Sequence, residues 1–275
     1  MKKFIILVIS IVLANNLVSQ EKFVYKTIDT TSLTLEIFYP KKIEKTKEYP
    51  AMIFFFGGGW TSGTTKQFEP HAKYFSERGL VCVLADYRVK SRQNSTPFQS
   101  LEDAKSAIRY LRINAAKLHI DPNKIIASGG SAGGYLAAAT ATIEKYNDTN
   151  DDLSVSCIPN ALVLFNPVID NGPGGYGYER VGEEYLYFSP LHNLHTGVPP
   201  TIFFLGTNDK LIPVETAQYY KKVMEITGSR CDLHLYEGQP HGFFNSKNEE
   251  YYIDTVRKTD EFLNSLGYLN GNPTL

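Results

Sequence analysis

The sequence predicts an α/β fold: a mostly parallel central sheet of about eight strands, helices on both faces, and a small loop-built cap. Three observations carry this expectation. Short, wholly apolar runs such as Ala51–Phe56 (AMIFFF) read as strands buried on both faces. They alternate with segments of helical periodicity, the pattern of parallel strands joined by crossovers. Ahead of them lie two β-rich runs, Phe23–Asp29 and Leu33–Tyr39, separated by Thr30, Thr31 and Ser32 as in a hairpin.

The elements come in this order. Three glycines stop the strand Ala51–Phe56, Pro70–Glu77 reads as a helix, and Leu80–Ala85 as the next buried strand. The longest helix is expected from Ser100, with Asp103 three residues on as a capping box and Ala104, Ile108 and Leu111 forming the buried face. Asp121–Pro122 makes a turn into the strand Lys124–Ser128, and Ala161–Phe165 and Thr201–Leu205 are two more strands. Val214–Thr227 is an amphipathic helix ended by Gly228, Asp232–Tyr236 the last strand, and Asn248–Leu266 a closing helix ended by Gly267. Two stretches break the alternation: the polar Glu144–Asn160 and the Gly- and Tyr-rich Asp170–Val198. Both are expected as loops or a small cap at the rim that carries function.

A chain of 275 residues is long enough for one such domain with a substantial core. A formal net charge of −1 leaves no basic footprint for nucleic acid or for polybasic attachment to membranes. Lys2 and Lys3, followed by the apolar run Phe4–Ala14, read as a secretory signal over residues 1–19, leaving 20–275 as a single domain exported to the periplasm or the medium. Cys82, Cys157 and Cys231 allow one disulfide at most and lack the spacing of a zinc site.

The chemistry concentrates in three loops. Ser128-Gly129-Gly130-Ser131-Ala132-Gly133-Gly134 places G-x-S-x-G between a strand and a small-residue helix. Such a turn is strained and tight, needs glycine at the flanks, and exposes the serine hydroxyl beside a helix N-terminus. Phe56-Gly57-Gly58-Gly59-Trp60 ends an earlier strand, where bare backbone amides can meet a developing oxyanion. His241, in Gly238-Gln239-Pro240-His241-Gly242-Phe243, comes after the last strand and is the candidate base. Asp209, in Gly206-Thr207-Asn208-Asp209, ends the strand before it and is the candidate acid, with Asp170 in reserve. The chain order is Ser, Asp, His. His71, His119 and His234 read as packing or surface residues, and His192 and His195 as loop histidines within the Tyr-rich insert.

These motifs, with LADYRV and the run DAKSAIRYLRINAAKLHIDPNKI, resemble the α/β-hydrolase esterases related to the hormone-sensitive lipase and acetyl esterase group. The likeness is greatest to the short branch of carbohydrate acetyl esterases and feruloyl-esterase-like proteins. It implies Ser131, Asp209 and His241 as a catalytic triad and the amides of Gly58, Gly59 and Ala132 as an oxyanion hole. Two departures stand out: Phe56 replaces the histidine that usually opens the H-G-G-G run, and Gly130 replaces the aspartate of G-D-S-A-G. The expected activity is hydrolysis of short-chain carboxylic esters, with acetyl esters on polysaccharide-derived sugars as the substrate class favoured. Trp60 and Tyr185 are the candidate substrate contacts, and no metal or organic cofactor is implied. Competing readings are a serine peptidase or amidase on the same residues, or a non-catalytic binding protein of the same fold.

Overall fold

The computed structural model describes residues 20–44 and 46–275. The expected signal segment lies outside the described residues. Eight strands form one sheet in the order β1-β2-β4-β3-β5-β6-β7-β8. They are β1 (Gln20–Ile28), β2 (Thr31–Phe38), β3 (Tyr49–Phe55), β4 (Val81–Ala85), β5 (Ile120–Gly130), β6 (Ala161–Phe165), β7 (Thr201–Gly206) and β8 (Cys231–Tyr236). β2 is antiparallel to both β1 and β4, and every other pair is parallel. This is the α/β-hydrolase fold.

The helices in chain order are α1 (Glu69–Glu77), α2 (Lys90–Gln93), α3 (Pro97–Ile113), α4 (Ala132–Thr142), α5 (Tyr178–Val181), α6 (Tyr185–Phe188), α7 (Val214–Ile226) and α8 (Glu249–Ser265). Alternation along the strands sends side chains to opposite faces. In β3, Ala51, Ile53 and Phe55 join α3, α4 and α7 in one core layer, whereas Met52 and Phe54 join α1 and α8 in the other. A sheet covered on both faces leaves its rim to the loops, and those after the C-terminal ends of parallel strands are where such folds build sites.

Two expectations change. The capping box of α3 is made by Thr96 and Gln99, with Pro97 in the first turn, rather than by Ser100 and Asp103. Ser100 instead donates to the Arg88 carbonyl, and the Asp103 carboxylate accepts two hydrogen bonds from the Arg88 guanidinium. Residues 144–160 do not line the functional rim. α4 leaves the turn at Ser131 and runs back along the sheet, so the stretch after it starts from the far end. Arg109 and Arg112 of α3 hold the carbonyls of Val155, Ser156 and Ile158, and Asn160 ends beside Ile125 at the head of the paired part of β5. Only the first residues of this stretch reach the cap: Tyr146 packs on Phe98 and Phe188, and Lys145 lies over the Tyr187 ring.

Candidate active site

Ser131 sits between β5 and α4 with φ 56° and ψ −121°, a conformation side chains rarely adopt. Its surroundings enforce it: Ser131 N donates to Phe165 O at 2.9 Å, and Ser131 O accepts from Tyr135 N and Val168 N. A side chain on Gly133 would collide with the carbonyl oxygens of Phe55 and Phe56, so that flank admits only glycine. The strain is held by three backbone bonds and aims Oγ out of the turn.

His241 and Asp209 arrive from loops that extend from adjacent parallel strands. His241 Nε2 lies 2.9 Å from Ser131 Oγ, and its Nδ1 lies 2.7 Å from Asp209 Oδ2. The Asp209 side chain is fully buried, and its other oxygen accepts from the amides of Leu211 and Ile212. A buried carboxylate so tied holds one orientation of the imidazole, leaving Nε2 turned to the hydroxyl. Asp170 lies elsewhere: its Oδ1 accepts from Gly172 N and stands 3.8 Å from His192 Nδ1.

The glycine run meets this serine from β3. Gly58 and Gly59 have φ of +122° and +61°. Their amides, and that of Ala132 at the start of α4, donate to no acceptor among the described residues. Gly57 N, by contrast, is held at 2.7 Å by the Gln67 side-chain oxygen. Free amides beside a helix N-terminus suit an oxyanion.

Sequence reasoning missed three residues here. Asn166, fully buried at the end of β6, accepts from Gly242 N at 3.0 Å and sets its Nδ2 3.4 Å from His241 Nε2. Gln67, besides holding Gly57, donates to Asn245, which in turn donates to Gly242 O. Arg180 in the cap donates to Gly59 O and lies 5.1 Å from the ring centroids of both Trp60 and Tyr176. Asn166 had a visible signal, a polar residue before Pro167 directly after an apolar strand. Gln67 and Arg180 had none.

Of the two candidate substrate contacts, Trp60 is corrected, while Tyr185 is half-buried in the cap. Trp60 is 1% exposed, packed under the cap against Tyr135, Tyr176 and Phe188, so it supports the glycine run instead of facing a ligand. Tyr185 packs edge-on to His192 and against Gly172. The aromatic residue that lines the cleft beside the acid loop is Tyr176, together with Asp170, Leu211, Ile212 and Thr216. The three cysteines are free and buried. Among the described residues no helix is long and apolar enough to cross a membrane, and no cluster of His, Cys, Asp and Glu is arranged to hold a metal ion.

Comparison with known proteins agrees with this fold. The family model BD-FAE matches residues 35–172, half of the chain, and that of the Dienelactone hydrolase family matches residues 185–267. Esterase 2 of Thermogutta terrifontis, in the form phosphorylated by paraoxon, superposes with a TM-score of 0.88 at 42% identity, covering 92% of this chain and 96% of that one. Acetylxylan esterase of Xylanibacter ruminicola is 25% identical over 228 residues, 76% of this chain and 44% of that protein. A probable isoprenylcysteine alpha-carbonyl methylesterase of Arabidopsis thaliana is 26% identical over 235 residues, 75% of this chain and 48% of that protein. The chain thus spans about half the length of these curated relatives.

Proposed function

The chain belongs to the BD-FAE family of α/β-hydrolase carboxylesterases, within the hormone-sensitive-lipase-like group, and from this premise we propose that it is a serine esterase of short-chain acyl esters, acetyl esters on sugars foremost. The observation that carries the reading is the relay from Ser131 Oγ through His241 to the buried Asp209 carboxylate.

In the first half-reaction Ser131 Oγ attacks the ester carbonyl carbon as His241 Nε2 takes its proton. The carbonyl oxygen becomes an oxyanion facing the amides of Gly58, Gly59 and Ala132. The tetrahedral adduct collapses by breaking the bond to the alcohol oxygen, which receives the proton from Nε2, and the acyl group stays on Ser131. Water then repeats the sequence and releases the acid. Asp209 fixes the tautomer and stabilises the imidazolium throughout.

Several features support short, polar substrates. The cap consists of one-turn helices, α5 and α6, and the described residues hold no long amphipathic lid for a lipid surface. Trp60, Tyr135 and Phe188 pack into one buried aromatic cluster beneath that cap. Among the relatives, one is named an acetylxylan esterase. Export to the periplasm or the medium, proposed from residues 1–19, fits esters on extracellular polysaccharide; cell fractionation with an antibody to the chain tests it, and an exclusively cytoplasmic pool refutes it.

The central test is initial rates on p-nitrophenyl acetate, butyrate and octanoate for wild type and Ser131→Ala. Turnover that falls with chain length and drops at least about 10⁴-fold in the variant is expected. Equal rates for wild type and variant would refute the reading. Paraoxon gives an independent check: an activated serine displaces its p-nitrophenolate, so mass spectrometry should find the phosphoryl group on the peptide containing Ser131.

A further inference from the structure

Next to the acid loop lies a cleft of about 230 Å³ with two walls that adjoin the loops of the reacting centre. One wall is Leu211 and Ile212, whose amides are bound to Asp209. The other is Tyr176, whose hydroxyl packs so closely on Gly59 that a Cβ there would lie 2.5 Å from it. The cleft therefore lies between the acid loop and the tyrosine that covers Gly59, and Asp170 and Thr216 complete its sides.

Three of its polar atoms are uncommitted. Asp170 uses Oδ1 for Gly172 N, while its Oδ2, the Tyr176 hydroxyl and the Thr216 hydroxyl make no hydrogen bond among the described residues. The remaining lining is aliphatic at Leu211, Ile212, Pro213 and Pro173 and bare backbone at Gly174 and Gly175. An aliphatic wall faced by a few acceptors and donors matches a ring with one flat CH face and equatorial hydroxyls. The volume is below the roughly 300–1,000 Å³ of sites for drug-sized ligands, which suits a single ring. The rim is open, with Leu211 41% exposed and Pro173 and Gly174 in solvent, so a chain attached to that ring has a way out.

From this we infer that the cleft between Asp170, Tyr176 and Thr216 is the subsite for the alcohol half of the ester, and that it takes a neutral sugar ring whose hydroxyls bond to the Asp170 carboxylate. The inference rests on the proposed esterase activity and adds to it the residues that choose the leaving group. The carboxylate excludes anionic rings, because a second negative charge would enter a half-buried site unpaired.

The test compares kcat/KM on a mono-acetylated xyloside and on p-nitrophenyl acetate for wild type, Asp170→Ala and Thr216→Phe. The ratio of the two constants, sugar ester over aryl ester, should fall about 10- to 100-fold in Asp170→Ala, the loss expected for one hydrogen bond to a charged group. In Thr216→Phe, which fills the cleft without touching the carboxylate, it should fall at least about 10-fold. An unchanged ratio in both variants overturns the subsite. So does a shift in preference between p-nitrophenyl acetate and butyrate, because the cleft would then hold the acyl group. Wild type active on the aryl ester but inactive on the xyloside overturns the sugar assignment alone, whereas wild type inactive on both overturns the esterase reading itself.

Discussion

Gly130 shows how one residue's identity depends on its neighbour. Where the resembled family has aspartate, a Cβ here would lie 2.5 Å from the Phe244 ring, which packs on Phe68 and Phe165 behind the serine turn. The departure visible in the sequence is thus half of a pair whose other half, Phe244, gave no signal of its own. Gly130→Asp should destabilise the protein by about 1–3 kcal/mol through overpacking, and more from an unpaired carboxylate against aromatic rings. Urea denaturation should show the loss, with partial recovery when Phe244→Ala is added. The Phe56 departure has a similar explanation: its ring stacks on Tyr87 at 4.1 Å, and the Tyr87 hydroxyl donates to Phe56 O, so packing holds a loop that a histidine braces elsewhere. His71 is the second residue with a measurable consequence. It is fully buried among Phe54, Phe68, Phe165 and Tyr252 with neither ring nitrogen hydrogen-bonded, and burial pushes its pKa down to about 3. The folded state keeps it neutral while the unfolded chain protonates it near the ordinary histidine value of 6.5, so unfolding takes up a proton in that window. Its contribution to stability is therefore complete above that value and declines at about 1.4 kcal/mol per pH unit as the pH falls toward the folded pKa. His71→Phe should flatten the pH dependence of the urea midpoint between pH 7 and 5; an unaltered slope would refute the assignment.

Among elements, the loops meet through a few side chains that no periodicity announces. The strands were legible because burial on both faces demands continuous apolar runs, and the serine turn because its geometry demands glycine. The start of α3 was legible in principle: Thr96-Pro97-Phe98-Gln99 carries both an N-cap threonine with Gln three residues on and a first-turn proline. Ser100 and Asp103 mimic that spacing one turn later, but the Arg88 guanidinium that claims Asp103 lies on another element, and sequence spacing does not reveal it. Thr96→Ala should cost about 1 kcal/mol by thermal or urea unfolding, while Ser100→Ala should leave helix capping intact. The bridge from Gly57 through Gln67 and Asn245 to Gly242 fixes the glycine run relative to the histidine loop. Gln67→Ala should lower kcat roughly 10- to 100-fold with little change in KM, because the reacting groups lose alignment rather than contact area. Restoration by Gln67→Glu is not expected, since the carboxylate lacks the donor that Asn245 accepts from.

At the scale of the whole molecule, the position of the site is set by topology, and its persistence by ionic ties between distant segments. Ser131, Asp209 and His241 are far apart in sequence yet lie on the connections that follow β5, β7 and β8, strands that run parallel in one sheet and end at one rim. That much could be argued from order and alternation alone. The path of residues 144–160 could not, because it depends on α3 side chains that gather its carbonyls. The same holds for the network around Asp103. Its fully buried carboxylate is bound by Arg88 Nε at 2.7 Å, by Arg88 N at 3.0 Å and by Lys26 Nζ at 2.8 Å, and Lys26 also pairs with Asp148 at 2.6 Å. One carboxylate thus joins β1, the segment after β4, α3 and the stretch after α4, elements spread from residue 26 to residue 148. Replacing it by alanine would leave the guanidinium of Arg88 and the ammonium of Lys26, both almost wholly enclosed, with one partner fewer in a site that water reaches poorly. Such a break typically costs roughly 3–5 kcal/mol, most of it from the charges left behind. Asp103→Ala should therefore shift the urea midpoint far more than removal of the exposed pair partner Glu69, whose loss should cost under about 1 kcal/mol. Combining Asp103→Leu with Lys26→Met and Asp148→Asn should recover part of the loss, because the lysine then leaves together with both of its carboxylate partners. If the single and triple variants are equally unstable, shape at this junction matters more than charge, and the four segments are held together by packing.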